Sequence, residues 1–217
     1  MELINATRML AGYTMGLDKQ AREHLVVVIK GTFRIPQAGE PIDRVALADE
    51  QQALVMADTF TGEPGLSAPV YEADYAPNKP QCDVLLHGNA YAPGGRPTTR
   101  LEAGIQIGPW SKRLAVVGPR HWDCGAATLR ATPAQPFVKQ TISYDVAFGG
   151  SDLRHEDPAK HAAFMANPVG RGFHKHLKAE WVDGQPLPST EEPGRSVSDT
   201  DGNYKPMAFG PVGRGWQ

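Results

Sequence analysis

The side chains of this 217-residue chain best suited to chemistry are seven histidines, two cysteines and 24 carboxylates. A metal would find its densest donors in His121-Trp122-Asp123-Cys124, an H-x-x-C spacing, and in the H-x-H of His174-Lys175-His176. Cys82 and His87 lie on or near an expected strand, and on a strand His174 and His176 would share one face. Structural zinc sites pair two Cys or His knuckles, and no second knuckle is present, so neither a metal ligand nor a cofactor is assigned. A nucleophilic serine would need a strained elbow such as G-x-S-x-G, which the chain lacks. Cys124 or Cys82 could form a dyad with a histidine, although a small buried thiol is the commoner use of a lone cysteine. Glu72 and Asp74 would share a strand face, and Glu191-Glu192 is a loop pair. Glycosidic chemistry needs two carboxylates held at a set distance across a cleft, and an Asp74 that pairs with an arginine or caps a turn is the plainer use. Phosphate-binding glycine loops of either common spacing are missing. No catalytic residue is therefore assigned, and the chain is read as a non-enzyme. The alternative is a metal-dependent hydrolase built on a His/Cys cluster.

The elements that must position these groups are mostly strands. Residues 24–35 are rich in β-branched side chains and stop at Pro36, and their unbroken apolar first half predicts burial on both faces. Residues 84–87 form a shorter run. Leu101, Ala103, Ile105 and Ile107 alternate with Glu102, Gly104 and Gln106, the period of a half-buried strand. Gly108-Pro109 then turns the chain so that residues 112–117 return as a hairpin partner. Residues 142–148 alternate again before Gly149-Gly150. Helix evidence is confined to residues 158–166, where Asp157 can cap and Pro158 suits the first helical position. Residues 44–58 fit either a helix or two short strands. From Asp183 to Lys205 the chain is Gly, Pro, Ser, Thr and acid, the pattern of long ordered loops or of partial disorder. The fold class expected is mainly β: sandwich or barrel-like antiparallel sheets with long Gly/Pro-rich loops and one short helix.

Composition narrows the function classes. Twenty-two Lys and Arg against 24 Asp and Glu leave a net charge of −2, which argues against phosphate-driven nucleic-acid binding and against a polybasic membrane binder. No apolar run reaches the length of a membrane-spanning helix. The first twenty residues lack the basic and apolar regions of a secretory signal, and two cysteines make no disulfide framework. A cytoplasmic protein is expected. Gly and Pro, 23 and 19 residues, disfavour a helical bundle. One short motif recurs: Pro168-Val169-Gly170-Arg171-Gly172-Phe173 returns as Pro211-Val212-Gly213-Arg214-Gly215-Trp216. Pro93-Gly94-Gly95-Arg96-Pro97 and Gly118-Pro119-Arg120-His121-Trp122 are looser relatives. Arginines and aromatics on rigid turns suit recognition, so Arg96, Arg120, Arg171, Phe173, Arg214 and Trp216 are the partner-binding candidates. For Arg171 and Arg214 a self-satisfied glycine turn is an equally good reading.

These turn blocks resemble a bacterial domain-of-unknown-function family whose members are encoded beside type VI secretion effectors. The resemblance starts at Val26-Val27-Val28-Ile29-Lys30-Gly31-Thr32-Phe33 and at Tyr71-Glu72-Ala73-Asp74-Tyr75-Ala76-Pro77-Asn78-Lys79-Pro80. It continues through Asp83-Val84-Leu85-Leu86-His87-Gly88, the Arg96 and Arg120 turns, Tyr144-Asp145-Val146-Ala147-Phe148-Gly149-Gly150 and the two Gly-Arg-Gly blocks. It thus spans nearly the whole chain in order. It implies a cytoplasmic adaptor or chaperone that holds a secreted effector, often one with a spike-tip domain, and assists its loading onto the trimeric spike protein. It supplies no catalytic residue. Two departures stand out: Ser189 and Thr190 replace the usual Asn and aliphatic residue, and family members commonly run on past the final Gly-Arg-aromatic block. The resemblance therefore implies a single β-rich adaptor domain over residues 1–217 that lacks that further segment. A purely structural module that oligomerises through an open sheet edge is the remaining competitor.

Overall fold

A computed structural model describes the chain except for Met1, Lys19, Ala38, residues 42–44, Pro77, Asn78, Pro80, Ala126, Ala127, Arg214, Gly215 and Gln217. The chain is mainly β, with short, largely antiparallel sheets, and among the described residues no sheet has more than three strands or closes into a barrel. Residues 1–59 and 71–83 gather into one compact unit, and residues 60–70 and 84–217 into a second.

The first unit is built on one long hairpin. Strand β1 (Leu10–Leu17) pairs antiparallel with β2 (Glu23–Lys30) over eight residues without a break. The turn between them is tied by Asp18, whose carboxylate accepts from the backbone N–H of Gln20 and Arg22, each at 2.8 Å. Strand β2 ends earlier than the sequence predicts: beyond Lys30 only Phe33 returns to a ladder, as a single bridge to Leu47. The expected burial on both faces of this strand is also not what forms. Exposed and half-buried residues alternate strictly along it, because only its other face has chain folded over it. On that covered side Tyr75 and Leu54 lie against Gly12, where a Cβ would collide with the Tyr75 hydroxyl. Described residues between 45 and 58 form no helix.

Two short strands, β3 (Thr59–Phe60) and β4 (Pro69–Tyr71), lie where the chain leaves the first unit and returns to it. The second unit holds three apolar clusters. Strands β6 (Arg100–Ile107) and β7 (Trp110–Val117) form the expected hairpin around Gly108-Pro109, with Gly108 at φ +56°. Their inner face packs Leu114, Val116, Leu101, Ala103 and Ile105 beside Phe137, Met207 and Phe209. Strand β5 (Gly88–Tyr91) pairs with β10 (Lys139–Ile142), and β8 (Trp122–Cys124) with β9 (Leu129–Ala131). The run 84–87 is not a strand; Leu86 N–H instead donates to Phe209 O. The alternating stretch 142–148 is broken by a 3₁₀ turn at Tyr144–Val146 before β11 (Phe148–Gly149). Strand β12 (Ser151–Asp152) pairs with β13 (Ala162–Ala163).

The expected helix at 158–166 is only a 3₁₀ turn, Pro158–Lys160. Asp157 does cap it, accepting from Ala159 N–H at 3.0 Å, but Ala162 and Ala163 pair with β12 as β13 and so cannot continue a helix. The short helix lies later, at α1 (Ala179–Val182), anchored by buried Val182 beneath Trp122 and Phe148. The stretch from Asp183 to Lys205 is ordered, with Leu187, Ser189, Thr190, Glu191, Val197 and Tyr204 all buried. Its polar composition hid this because the buried carboxylate of Glu191 is paired, as described below, while Thr190 Oγ1 is buried with no hydrogen-bond partner among the described residues. Among the described residues no helix is long and apolar enough to cross a membrane.

Candidate partner-binding surface

The glycine blocks that stand apart in sequence meet in the second unit. Strand β14 (Arg171–Gly172) runs parallel to β11, with Phe148 opposite Arg171 and Gly149 opposite Gly172. Asn167, fully buried, ties the junction: its Nδ2 donates to Tyr144 O at 2.9 Å and to Phe148 O at 3.0 Å. Gly149 sits at φ +148°, and a Cβ there would collide with Asn167 O. That position therefore requires glycine for both conformation and space. Strand β15 (Thr190–Glu191) closes the arrangement by pairing with β7, and Thr190 bridges Ala147.

The predicted contact arginines are mostly engaged within this framework. Arg120 is 7% exposed, and its guanidinium donates to Pro188 O at 3.1 Å and pairs with the wholly buried carboxylate of Glu191. Glu191 also accepts from Val197 N–H at 2.9 Å and from half-exposed Arg100 at 3.3 Å. Arg171 is half-buried, and its Nε donates to Asp145 O at 3.0 Å. Burial moves its pKa below the ordinary arginine value, and nearby Asp145 opposes that shift. Phe173 packs against Phe164 with ring centres 5.9 Å apart, within the cluster of Trp122 and Phe148. Trp216 packs edge-on against Tyr144 at 5.7 Å. Of the five described candidates Arg96 alone stands exposed, directly after the 3₁₀ turn Pro93–Gly95. Arg214 lies outside the described residues.

A cleft of about 240 Å³ opens beside this junction, lined by Gly149, Gly150, Gly170, Gly172, Arg171 and His174 among others. In it Ser151 Oγ donates to Pro168 O at 3.0 Å. Burial, with Arg154 nearby, lowers the pKa of His174, and Asp152 works against them. His174 and His176 are not on a strand. The Asp152 carboxylate instead gathers the N–H groups of Lys175 and His176 at 3.0 and 2.9 Å. Its pKa is lowered: burial would raise it, but these backbone N–H groups and that of Arg154 outweigh burial. Burial and two neighbouring aspartates raise the pKa of the Cys124 thiol. Among the described residues no three His, Cys, Asp or Glu side chains gather where they could hold a metal ion. Glu72 and Asp74 lie beyond β4 in a turn rather than on one strand face. Asp74 accepts from Lys30 and from Val55 N–H, each at 2.8 Å, so its partner is a lysine and not an arginine.

The exposed apolar surface is the one the sequence predicts to be inside. On one face of the β1–β2 hairpin, Tyr13 lies opposite Val27, Met15 opposite Leu25, and Ala11 opposite Ile29. Met15, Leu17 and Ile29 are 60–64% exposed, and Tyr13, Leu25 and Val27 are exposed as well. The six side chains form one apolar patch of the kind that marks an interaction site. The signal was present as alternation in β1, but in β2 a run of consecutive apolar residues reads equally as a doubly buried strand.

Comparison with known families decides the kinship. A model of a bacterial family described as "Uncharacterized protein conserved in bacteria (DUF2169)" matches residues 20–217. The chain belongs to this family. No curated protein and no solved structure gives a significant match. The DUF2169 match takes in β2, the glycine junction and every predicted contact residue, and it begins just after β1.

Proposed function

We propose that this DUF2169 protein is a cytoplasmic adaptor or chaperone. It binds a secreted type VI effector and assists its loading onto the trimeric spike protein. The observation that carries the reading is the exposed apolar face of the β1–β2 hairpin. One face of the hairpin is covered within the first unit, and the contiguous apolar patch left on the other is of the kind that marks an interaction site. A partner that brings its own exposed apolar surface gains by mass action, because the bound state hides both surfaces. Arg96, exposed on the second unit, remains a candidate polar contact of that unit. The junction residues Arg120, Arg171, Phe173 and Trp216 act in this reading as scaffold.

Co-expression with the product of the neighbouring gene tests it. The effector should co-purify with this protein and become soluble. Val27→Lys and Met15→Lys should each abolish co-purification while leaving the circular dichroism spectrum unchanged. An effector equally soluble and equally secreted without this protein would sink the proposal.

A further inference from the structure

Strand β6 is the outer strand of the sheet β15-β7-β6. The hydrogen-bond parity of that sheet shows which of its backbone groups are spare. Val117 N–H donates to Ser189 O at 2.8 Å, toward the β15 side of β7. In an antiparallel ladder a residue directs N–H and C=O to the same side, and the sides alternate along the strand. Val117 opposes Arg100, so Arg100, Glu102, Gly104 and Gln106 turn their backbone groups away from β7. Among the described residues, Glu102, Gly104 and Gln106 have no backbone partner on that side, and all three are exposed.

Natural edge strands are usually short, bulged, or blocked by proline or lysine. Strand β6 is none of these: eight residues keep continuous register, and it contains neither Pro nor Lys. A trough of about 440 Å³ runs along it, lined by Glu102, Gly104, Gln106, Ser111 and Arg113 on one face and by Ala103 and Ile105 on the other. Ala103 and Ile105 are half-buried against Leu114 and Val116, so the core side of the edge is an unfinished apolar shelf. On the outer side the Arg113 stem lies over Gly104, with its Cγ 3.1 Å from where a glycine Cβ would stand. The missing side chain leaves room for the exposed Arg113 side chain to lie across β6. Among the described residues no carboxylate pairs with it.

We infer that the β6 edge accepts an extended segment of a partner protein as a fourth strand of this sheet. The segment carries an acidic residue opposite Gly104, and its flanking residues are apolar and fall on Ala103 and Ile105. Backbone bonds to Glu102, Gly104 and Gln106 supply affinity, while the shelf and Arg113 supply specificity. The site is on the second unit and stands independently of the effector reading, which rests on the β1–β2 face.

A blocked heptapeptide, Val-Thr-Val-Glu-Val-Thr-Val, and its counterpart with a central lysine test this on the full chain. The glutamate peptide should slow amide exchange at Glu102, Gly104 and Gln106, and not at Leu101 or Ala103. It should bind about tenfold tighter than the lysine peptide, with the order reversed in Arg113→Glu. Gln106→Pro removes an outward N–H and leaves the β6–β7 bonds intact, so it should weaken both peptides with the melting curve unchanged. Unchanged exchange at millimolar peptide overturns the inference. So does a preference that Arg113→Glu leaves unmoved. Slow exchange at the same three amides in the free protein, with a dimer by light scattering, assigns the edge to a second copy and overturns it too.

Discussion

The β1–β2 hairpin and the glycine junction use their side chains in opposite senses. In the hairpin, ordinary aliphatic residues such as Val27, Ile29 and Met15 point to solvent. In the junction, Arg120 and Glu191 point inward and pair with each other. Residue type alone would reverse the assignment, since arginine and aromatics are the usual currency of recognition. What separates the regions is that most polar side chains of the junction already hold partners, although Arg120 Nε, Asn167 Oδ1 and Thr190 Oγ1 are buried without one among the described residues. Arg120 reaches Pro188 O and Glu191, Arg171 reaches Asp145 O, and Asn167 holds two carbonyls. Donors committed in this way stabilise a fold and leave little for a partner.

The sharpest test of the contrast is Glu191→Ala. It leaves Arg120 buried without its counter-charge and should cost about 3–5 kcal/mol. Chemical denaturation followed by tryptophan fluorescence measures this, and a loss near zero would mean that the pair is not what holds β15 to β7.

Acid should act on the junction in two stages. His174 has a folded pKa below its ordinary value near 6.5, so the unfolded chain takes up the proton first. Stability should therefore begin to fall as pH drops below about 6.5, and His174→Gln should remove that stage. Asp152 also has a lowered folded pKa. Its contribution is full above the unfolded carboxylate value of about 4 and is lost as pH falls through the lower folded value. Asp74 in the first unit follows the same sign. Burial would raise its pKa, but Lys30 and Val55 N–H prevail. A melting temperature flat from pH 7 to pH 5 would exclude the His174 stage.

The smallest effect belongs to the hairpin face. Val27→Thr keeps shape and β-propensity at an exposed position, so it should change stability by less than about 0.5 kcal/mol. A loss of more than about 2 kcal/mol would show that the face is already covered within the protein.

Local sequence carries part of this structure well. The β6–β7 hairpin was legible because strict alternation and a Gly-Pro turn agree with each other. The Asp157 cap was legible for the same local reason, although the helix it announced was cut to one 3₁₀ turn by the β12–β13 pairing. Glu191 was not legible as a buried ion-pair partner. Nothing near it in sequence announces Arg120, which lies 71 residues away. The hairpin face was misread because consecutive apolar residues do not say which side will be covered.

From sequence alone came the β character, the turn blocks, the near-neutral charge and, through the ordered blocks, a family kinship. These depend on backbone preferences and on spacing along the chain, both of which are local. Only the tertiary structure could show that the arginines of those blocks are largely engaged inside, that the polar stretch after Asp183 is core, and that an apolar face and a strand edge remain open. Exposure and pairing are set by which distant segments close over a residue, and no single stretch of chain holds that information.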